Sequence, residues 1–368
     1  MRSGRRLLST TACGRRLFST TACGHPLIDV VALNRGCRNS VKALRSALYD
    51  HGYFYAANVD ALSQSYIQSI HEYSRRAHAL PAGAKEAYLQ RGGTGAYSGP
   101  DVGQPELNYD GSEKAATVCG WDYSRTRFSL GNADDSAPER YDDPASDPRY
   151  PPASLLEPAF AVVLDELYHR QNGLSRILLS GMEAALDLPE RVLRDLFDGG
   201  GDGDFGTVRL LHYPGGGDQD GSDGKPGIGA HTDFECFTLM HQDAAGLQLM
   251  PRTPGGGHGG WIDAPVRPAE FVVIIGDMLE RLTNGALLAT PHRVLQTPHP
   301  RSSIIRFNAF APEATIAPLA QFVSEERPAR YTPVRMRTHM ETTMRNLEAG
   351  LGSWDVHTQR SISATYKY

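Results

Sequence analysis

The chain has 368 residues, a mass of 40.1 kDa, 40% hydrophobic and 21% charged residues, and a formal net charge of −5. That is the balance of a soluble globular protein of one large or two ordinary domains. A pI near 6.2 carries no electrostatic footprint for nucleic acid, and no apolar run reaches the roughly 18 residues of a membrane span.

The first elements in the chain are not structural. RRLLSTTACG (5–14) is followed at once by RRLFSTTACG (15–24), with five arginines and no acid before Asp29. This composition suits a transit peptide. Residues 1–26 are therefore set apart as a targeting or disordered segment, with a mitochondrial location expected and a cytoplasmic one as the alternative. The five cysteines are an odd number without a C-x-x-C pair, which argues against a disulfide framework and a structural zinc site.

Residues 27–205 read as a mainly helical N-terminal region. LIDVVAL (27–33) is expected to be a strand. A helix capped by Ser40, with Val41, Leu44 and Leu48 on one face, then leads into a strand ending near 59. A second helix is expected near 62–79. The Gly-, Asp- and Pro-rich stretch 90–154 reads as long loops with a strand or hairpin, and its aromatics Tyr97 and Phe128 are candidates for the wall of a pocket. Helices resume over 155–186 with a break at Asn172-Gly173. Asp187-Leu188-Pro189-Glu190 reads as an acidic capping box for another helix, which ends in the glycines at 199–201.

From 206 the texture changes to short β-branched segments: TVRLLHYP, ECFTLMHQD, LQLMPR, FVVIIGD, HRVLQT and SSIIRFNAF. Turn-formers separate them, as in an antiparallel sandwich or barrel. The glycine-rich spacers between them read as surface loops. Residues 313–368 form a C-terminal extension, helical over 337–351.

Two His-x-Asp triplets fall in this β region, His231-Thr232-Asp233 and His241-Gln242-Asp243. Read as opposite ends of one strand, they lie too far apart to share a metal. An open iron site needs a third ligand, for which His292 opens another predicted strand. His258 in a glycine loop and His299 between prolines are poorer candidates. In PRSSIIRF, Arg301 and Ser303 share strand parity with Ile305 and Phe307, whereas Arg306 has the other parity and is expected to face solvent. An inward guanidinium of this kind can take a carboxylate through two hydrogen bonds.

These segments occur in a recognisable order: HTDFECFTLMHQDAAGLQL, GGWIDAPV, GDMLERLTNG, PHRV and RSS. The stretch 206–312 resembles the iron(II)- and 2-oxoglutarate-dependent oxygenases of the isopenicillin N synthase-like branch, and LIDVVAL and DHGYFYAANV resemble that branch's opening units. The resemblance implies an α+β fold with a double-stranded β-helix (jelly roll) core, a helical N-terminal region and a C-terminal helix. It implies Fe(II) held by His231, Asp233 and His292, with O2 as the oxidant and 2-oxoglutarate as cosubstrate. Arg301, Ser303 and Tyr213 would bind that cosubstrate. Plant members often carry Asn two residues before the tyrosine, where this chain has Leu211. The implied reaction is hydroxylation, desaturation or ring closure of a small organic substrate, with release of succinate and CO2. Two alternatives stand beside it: an iron oxidase of the same fold that does not use 2-oxoglutarate, and a non-catalytic β-sandwich that binds a small molecule. His212, His241 and His299 are assigned structural or exposed roles, and Asn284-Gly285 a tight turn.

Overall fold

The computed structural model describes residues 24–89, 96–105, 109, 117–125, 142–199, 206–216, 226–253, 257–355, 357–358 and 360–362. The repeat in 5–24 lies almost wholly outside these residues, and Phe128 lies outside them.

The strands in chain order are β1 (Leu27–Asp29), β2 (Tyr53–Ala57), β3 (Tyr97–Ser98), β4 (Cys119–Tyr123), β5 (Thr207–Tyr213), β6 (Pro226–His231), β7 (Phe237–Gln242) and β8 (Leu247–Leu249). They continue with β9 (Ile262–Asp263), β10 (Phe271–Ile275), β11 (His292–Leu295) and β12 (Arg301–Asn308). An eight-stranded sheet runs β1-β2-β10-β7-β12-β5-β4-β3, and a four-stranded sheet runs β6-β11-β8-β9. Two small two-stranded sheets follow, β13 (Thr315–Ile316) with β14 (Val334–Arg335), and the hairpin β15 (Trp354–Asp355) with β16 (Arg360–Ser361).

Alternation along the strands sorts side chains into two cores. On the inner face, Tyr53, Tyr55, Leu211, Tyr213, Met240, Val272, Ile274 and Ile305 of the large sheet meet Ile228, Leu247, Leu249 and Val294 of the small one. On the outer face, Phe54, Leu210, Leu239, Val273 and Ile304 pack against helices. The helices are α1 (Val30–Asn34), α2 (Arg38–Ser46), α3 (Gln64–His78), α4 (Ala82–Lys85), α5 (Phe160–Ala185), α6 (Val192–Asp198), α7 (Asp277–Leu282) and α8 (Met336–Glu348). The α5 helix buries Phe160, Leu164, Leu167, Leu174, Leu178 and Met182 at helical spacing. Each such side chain stabilises the fold by about 1.5–3 kcal/mol. Two stacked sheets with helices on one outer face make the α+β jelly-roll architecture that the segment pattern implies.

Several local expectations are corrected. LIDVVAL is a strand only to Asp29, whose side chain caps α1 by accepting from the Ala32 N–H. The next helix starts at Arg38 without a side-chain cap, so Ser40 lies inside it. Asn172-Gly173 does not break α5, because the apolar stripe on both sides is buried against the sheet and outweighs the roughly 1 kcal/mol glycine penalty. The Asp187–Glu190 box does not cap α6. The carboxylate of Glu183, on the preceding helix, accepts from the N–H groups of Arg191, Leu193 and Arg194 instead. Gly199 does close α6 in the left-handed conformation. Arg306 does not face solvent: it is fully buried over the ring of Tyr168 on α5 at 4.1 Å, because helices cover the outer face of β12. Tyr97 belongs to the helix-covered core rather than to a pocket wall; it packs against Trp121 at 4.6 Å with its hydroxyl donating to Asp101.

Candidate metal centre

The glycine-rich spacer read as loop ends in a strand, β6, so His231 closes that strand rather than opening the next. Across the small sheet His292, the first residue of β11, is its direct partner. Asp233 sits two residues further on, in the turn that carries the chain from the small sheet to β7 of the large one. His231 and Asp233 therefore converge from a strand end and a turn, not from two positions of one strand.

That turn is held by backbone. The Asp233 carbonyl accepts from the Asp277 N–H at 2.9 Å, and the Cys236 carbonyl from the Gly276 N–H at 3.0 Å. Gly276 is required for close approach: a Cβ there would lie 2.4 Å from the Glu235 carbonyl oxygen.

The three side chains meet. Their ligand atoms lie within 4.8 Å of one another, and Nε2 of His231 and of His292 are each 3.6 Å from Asp233 Oδ1. Both imidazoles direct Nδ1 at a backbone carbonyl, Gly229 at 2.9 Å and Thr290 at 3.2 Å. This orients the rings so that both Nε2 lone pairs point at the shared volume, as metal-ligating histidines require. Thr238 donates to Asp233 Oδ2 at 2.5 Å, leaving Oδ1 for the centre. Burial alone would raise the Asp233 carboxyl, but His292, His231 and the Thr238 hydroxyl outweigh it and hold it at about 2. Burial pushes His292 down to about 4 against the pull of Asp233. The site thus presents one carboxylate and two imidazole donors. Two imidazoles and one carboxylate on one side of a point are the donor set of an open non-haem Fe(II) site. Next to it, burial and the Asp233 charge push Glu235 up to about 8.

In the same inter-sheet interior lies a cation. Arg301 and Ser303 are buried, and Arg301 Nη2 donates to Ser303 Oγ at 3.0 Å and to Gln242 Oε1 at 2.9 Å. Its Nη1 is buried without a protein partner. A buried guanidinium with an unmet donor is costly unless an anion completes it, so a carboxylate-bearing cosubstrate fits here. Tyr213 is the cross-strand partner of Arg301, and the guanidinium lies over its ring at 4.4 Å. Leu211 is correspondingly opposite Ser303. Thr238 and Gln242 were missed in the sequence, although both share strand parity with the inward Met240. Tyr109 was also missed; it sits in the irregular region, where no periodicity marks it. His258 and His299 stand outside the cluster, and Asn284-Gly285 forms a tight turn with both residues at positive φ.

Fold and donor set define the class: a jelly-roll protein with a two-histidine, one-carboxylate centre and a buried arginine for an anionic partner. Residues 205–309 match the 2OG-Fe(II) oxygenase superfamily. A 2-oxoglutarate-Fe(II) type oxidoreductase of Metarhizium rileyi is 28% identical over 316 residues, spanning 81% of this chain and 82% of the relative. Homoarginine-6-hydroxylase of Arabidopsis thaliana is 36% identical over a shorter stretch, 44% of this chain and 47% of that protein. Among solved structures, a 2OG-Fe(II) oxygenase family protein of Caulobacter crescentus superposes with a TM-score of 0.66 at 25% identity, over 88% of this chain and 99% of that one. A full-length Neurospora crassa protein, solved in complex with alpha-KG and 5-formyluracil, has the same fold, with a TM-score of 0.67 at 21% identity, over 88% of this chain and 96% of that one. The chain carries a 2OG-Fe(II) oxygenase superfamily region over residues 205–309. It is a 2-oxoglutarate-dependent dioxygenase, an oxidoreductase that uses Fe(II), 2-oxoglutarate and O2. No helix among the described residues is long and apolar enough to cross a membrane.

Proposed function

We propose that His231, Asp233 and His292 hold the Fe(II), that Arg301 and Ser303 receive the distal carboxylate of 2-oxoglutarate beside Tyr213, and that the enzyme oxidises a C–H bond of a small organic molecule. The observation that carries this is the convergence of the three donor atoms, all within 4.8 Å and all turned inward by their own hydrogen bonds. Fe(II) with 2-oxoglutarate supplies oxidative decarboxylation and the oxidising power for the C–H bond.

The chain's own residues hold and select. Thr238 and the two backbone carbonyls fix the donors, so little reorganisation is needed on binding. Arg301 offers the N–H bonds of Nη1 to a carboxylate, and its burial gives that charge-assisted contact strength. Apolar Leu211, Ile228, Val294 and Ile305 keep water from the interior. Relatives include a hydroxylase named for homoarginine and a neighbour of the same fold solved with 5-formyluracil, which supports a compact polar or heterocyclic substrate.

Anaerobic addition of Fe(II) and 2-oxoglutarate tests the site: a weak visible charge-transfer band at one iron per chain is expected, and no band overturns the assignment. The arginine-rich, acid-free 1–26 segment supports import into mitochondria. A reporter fused to it should enter them, and a diffuse cytosolic reporter would refute this.

A further inference from the structure

One face of the His231 imidazole is covered by a residue far from it in sequence. The Tyr109 ring stacks on it with centroids 4.2 Å apart and planes 13° from parallel, and also touches Phe234 at 6.1 Å. The backbone of Tyr109 is gripped from the C-terminal end of the chain. Its carbonyl oxygen accepts from the N–H groups of both Ser353 at 2.7 Å and Trp354 at 3.0 Å, at the start of the C-terminal hairpin β15–β16. The hairpin is anchored in turn. Trp354 pairs with Ser361, and Ser361 Oγ donates to Asp277 Oδ2 at 2.8 Å. Asp277 is the residue whose N–H binds the Asp233 carbonyl. A closed loop of contacts thus runs from Asp233 through α7, the hairpin and Tyr109 to His231.

We propose that Tyr109, clasped by the C-terminal hairpin, is a positioning residue for the His231 ligand. The χ2 torsion of histidine is broad and soft, and a single Nδ1 contact to Gly229 leaves the ring free to rock about that bond. A parallel ring 4.2 Å away removes this freedom and fixes the direction of the Nε2 lone pair. The C-terminal hairpin, far beyond the ligand in sequence, thereby becomes part of the metal centre's support. Stacking needs the ring and not the hydroxyl, so phenylalanine should replace tyrosine.

The proposal rests on His231 being an iron ligand, and the experiment separates the two. Full-length wild type, Tyr109→Phe, Tyr109→Leu and Ser361→Ala are titrated anaerobically with Fe(II) and then with 2-oxoglutarate. Metal affinity and the position of the charge-transfer band are read, with a thermal melt on each. In the wild type, absence of the band would end the iron assignment itself. Given a wild-type band, Tyr109→Phe should reproduce it with Fe(II) affinity within about twofold. Tyr109→Leu, which keeps bulk but loses the plane, should shift the band and weaken Fe(II) by roughly tenfold, as loss of a ligand-orienting contact does. Ser361→Ala should move both readouts the same way by less. If Tyr109→Leu binds iron as the wild type does with an unmoved band, or if Tyr109→Phe fails as badly as Tyr109→Leu while folded, the proposal is wrong.

Discussion

The triplets His231-Thr232-Asp233 and His241-Gln242-Asp243 share a pattern but not a fate. In the first, each imidazole contact uses only Nδ1, and Nε2 is left to a common centre. In the second, the polar atoms face neighbouring side chains and backbone rather than a common centre. His241 Nδ1 meets His71 Nε2 at 2.9 Å, His71 Nδ1 meets Ser302 Oγ at 2.8 Å, and Ser302 donates to Asp243 at 2.6 Å. His241 Nε2 lies 3.3 Å from the Pro268 carbonyl. This line of four links has an acceptor at both ends and so calls for four protons, whereas two neutral imidazoles and a hydroxyl supply three. Burial and the adjacent His241, with Asp243 opposing, push His71 down to about 4, so the line is neutral and the 3.3 Å link is the one left short. The difference between the triplets is placement. One sits where β6 ends and the chain crosses from one sheet to the other; the other sits at the end of β7, where His241 packs against His71 of α3 and Asp243 against Ser302 of β12.

The largest effect that could break this contrast is at the ligands. His231→Ala should abolish Fe(II) uptake and succinate formation, beyond the roughly 10- to 100-fold that removal of a supporting contact costs; His241→Ala should keep both. Metal analysis and turnover of the pair decide it, and equal losses would dissolve the distinction. Next, Arg301→Ala should raise the 2-oxoglutarate concentration needed by roughly 10- to 100-fold, the worth of a charged hydrogen bond, while Fe(II) uptake persists. A saturation curve like the wild type's would assign the anion elsewhere.

The backbone behind the first triplet gives a smaller effect. Gly276→Ala should destabilise the fold by about 1–3 kcal/mol through its clash with the Glu235 carbonyl. Gly83→Ala, at a helical position with nothing within 4 Å, should not. Denaturant midpoints compare them.

The network of the second triplet sharpens the comparison through pH. His71 is held at about 4, and His78 and His339 at about 3, by burial, against 6.5 in a free chain. Between those values the unfolded chain binds more protons than the folded one. The share of stability these three histidines contribute is therefore complete above about pH 6.5 and is lost as pH falls through their folded values, while Glu235, pushed up to about 8, acts in the opposite sense. The melting temperature should drop by about 5 °C or more over that interval. His71→Asn should flatten the slope slightly, and an unchanged slope would mean the imidazole is not held neutral.

Much of the site could be read because its chemistry is local. His231, Asp233 and His292 are short motifs at element ends, and Arg301 with Ser303 follows from two-residue alternation in a run that forms β12. The same alternation failed for Arg306, since parity says which face a side chain takes and not what covers that face. Capping of α6 also escaped, because the carboxylate that satisfies its first N–H groups belongs to Glu183 on another helix.

From the amino-acid order alone came the β-rich half, its strand faces, the donor types and the inward cation at Arg301, because strand period and ligand chemistry are properties of near neighbours. Tertiary packing alone decided the ring of Tyr109 over His231, the C-terminal hairpin behind it, and the burial of Arg306 beneath the helices. Those contacts join segments far apart in the sequence, and only the closed chain brings their surfaces within van der Waals range.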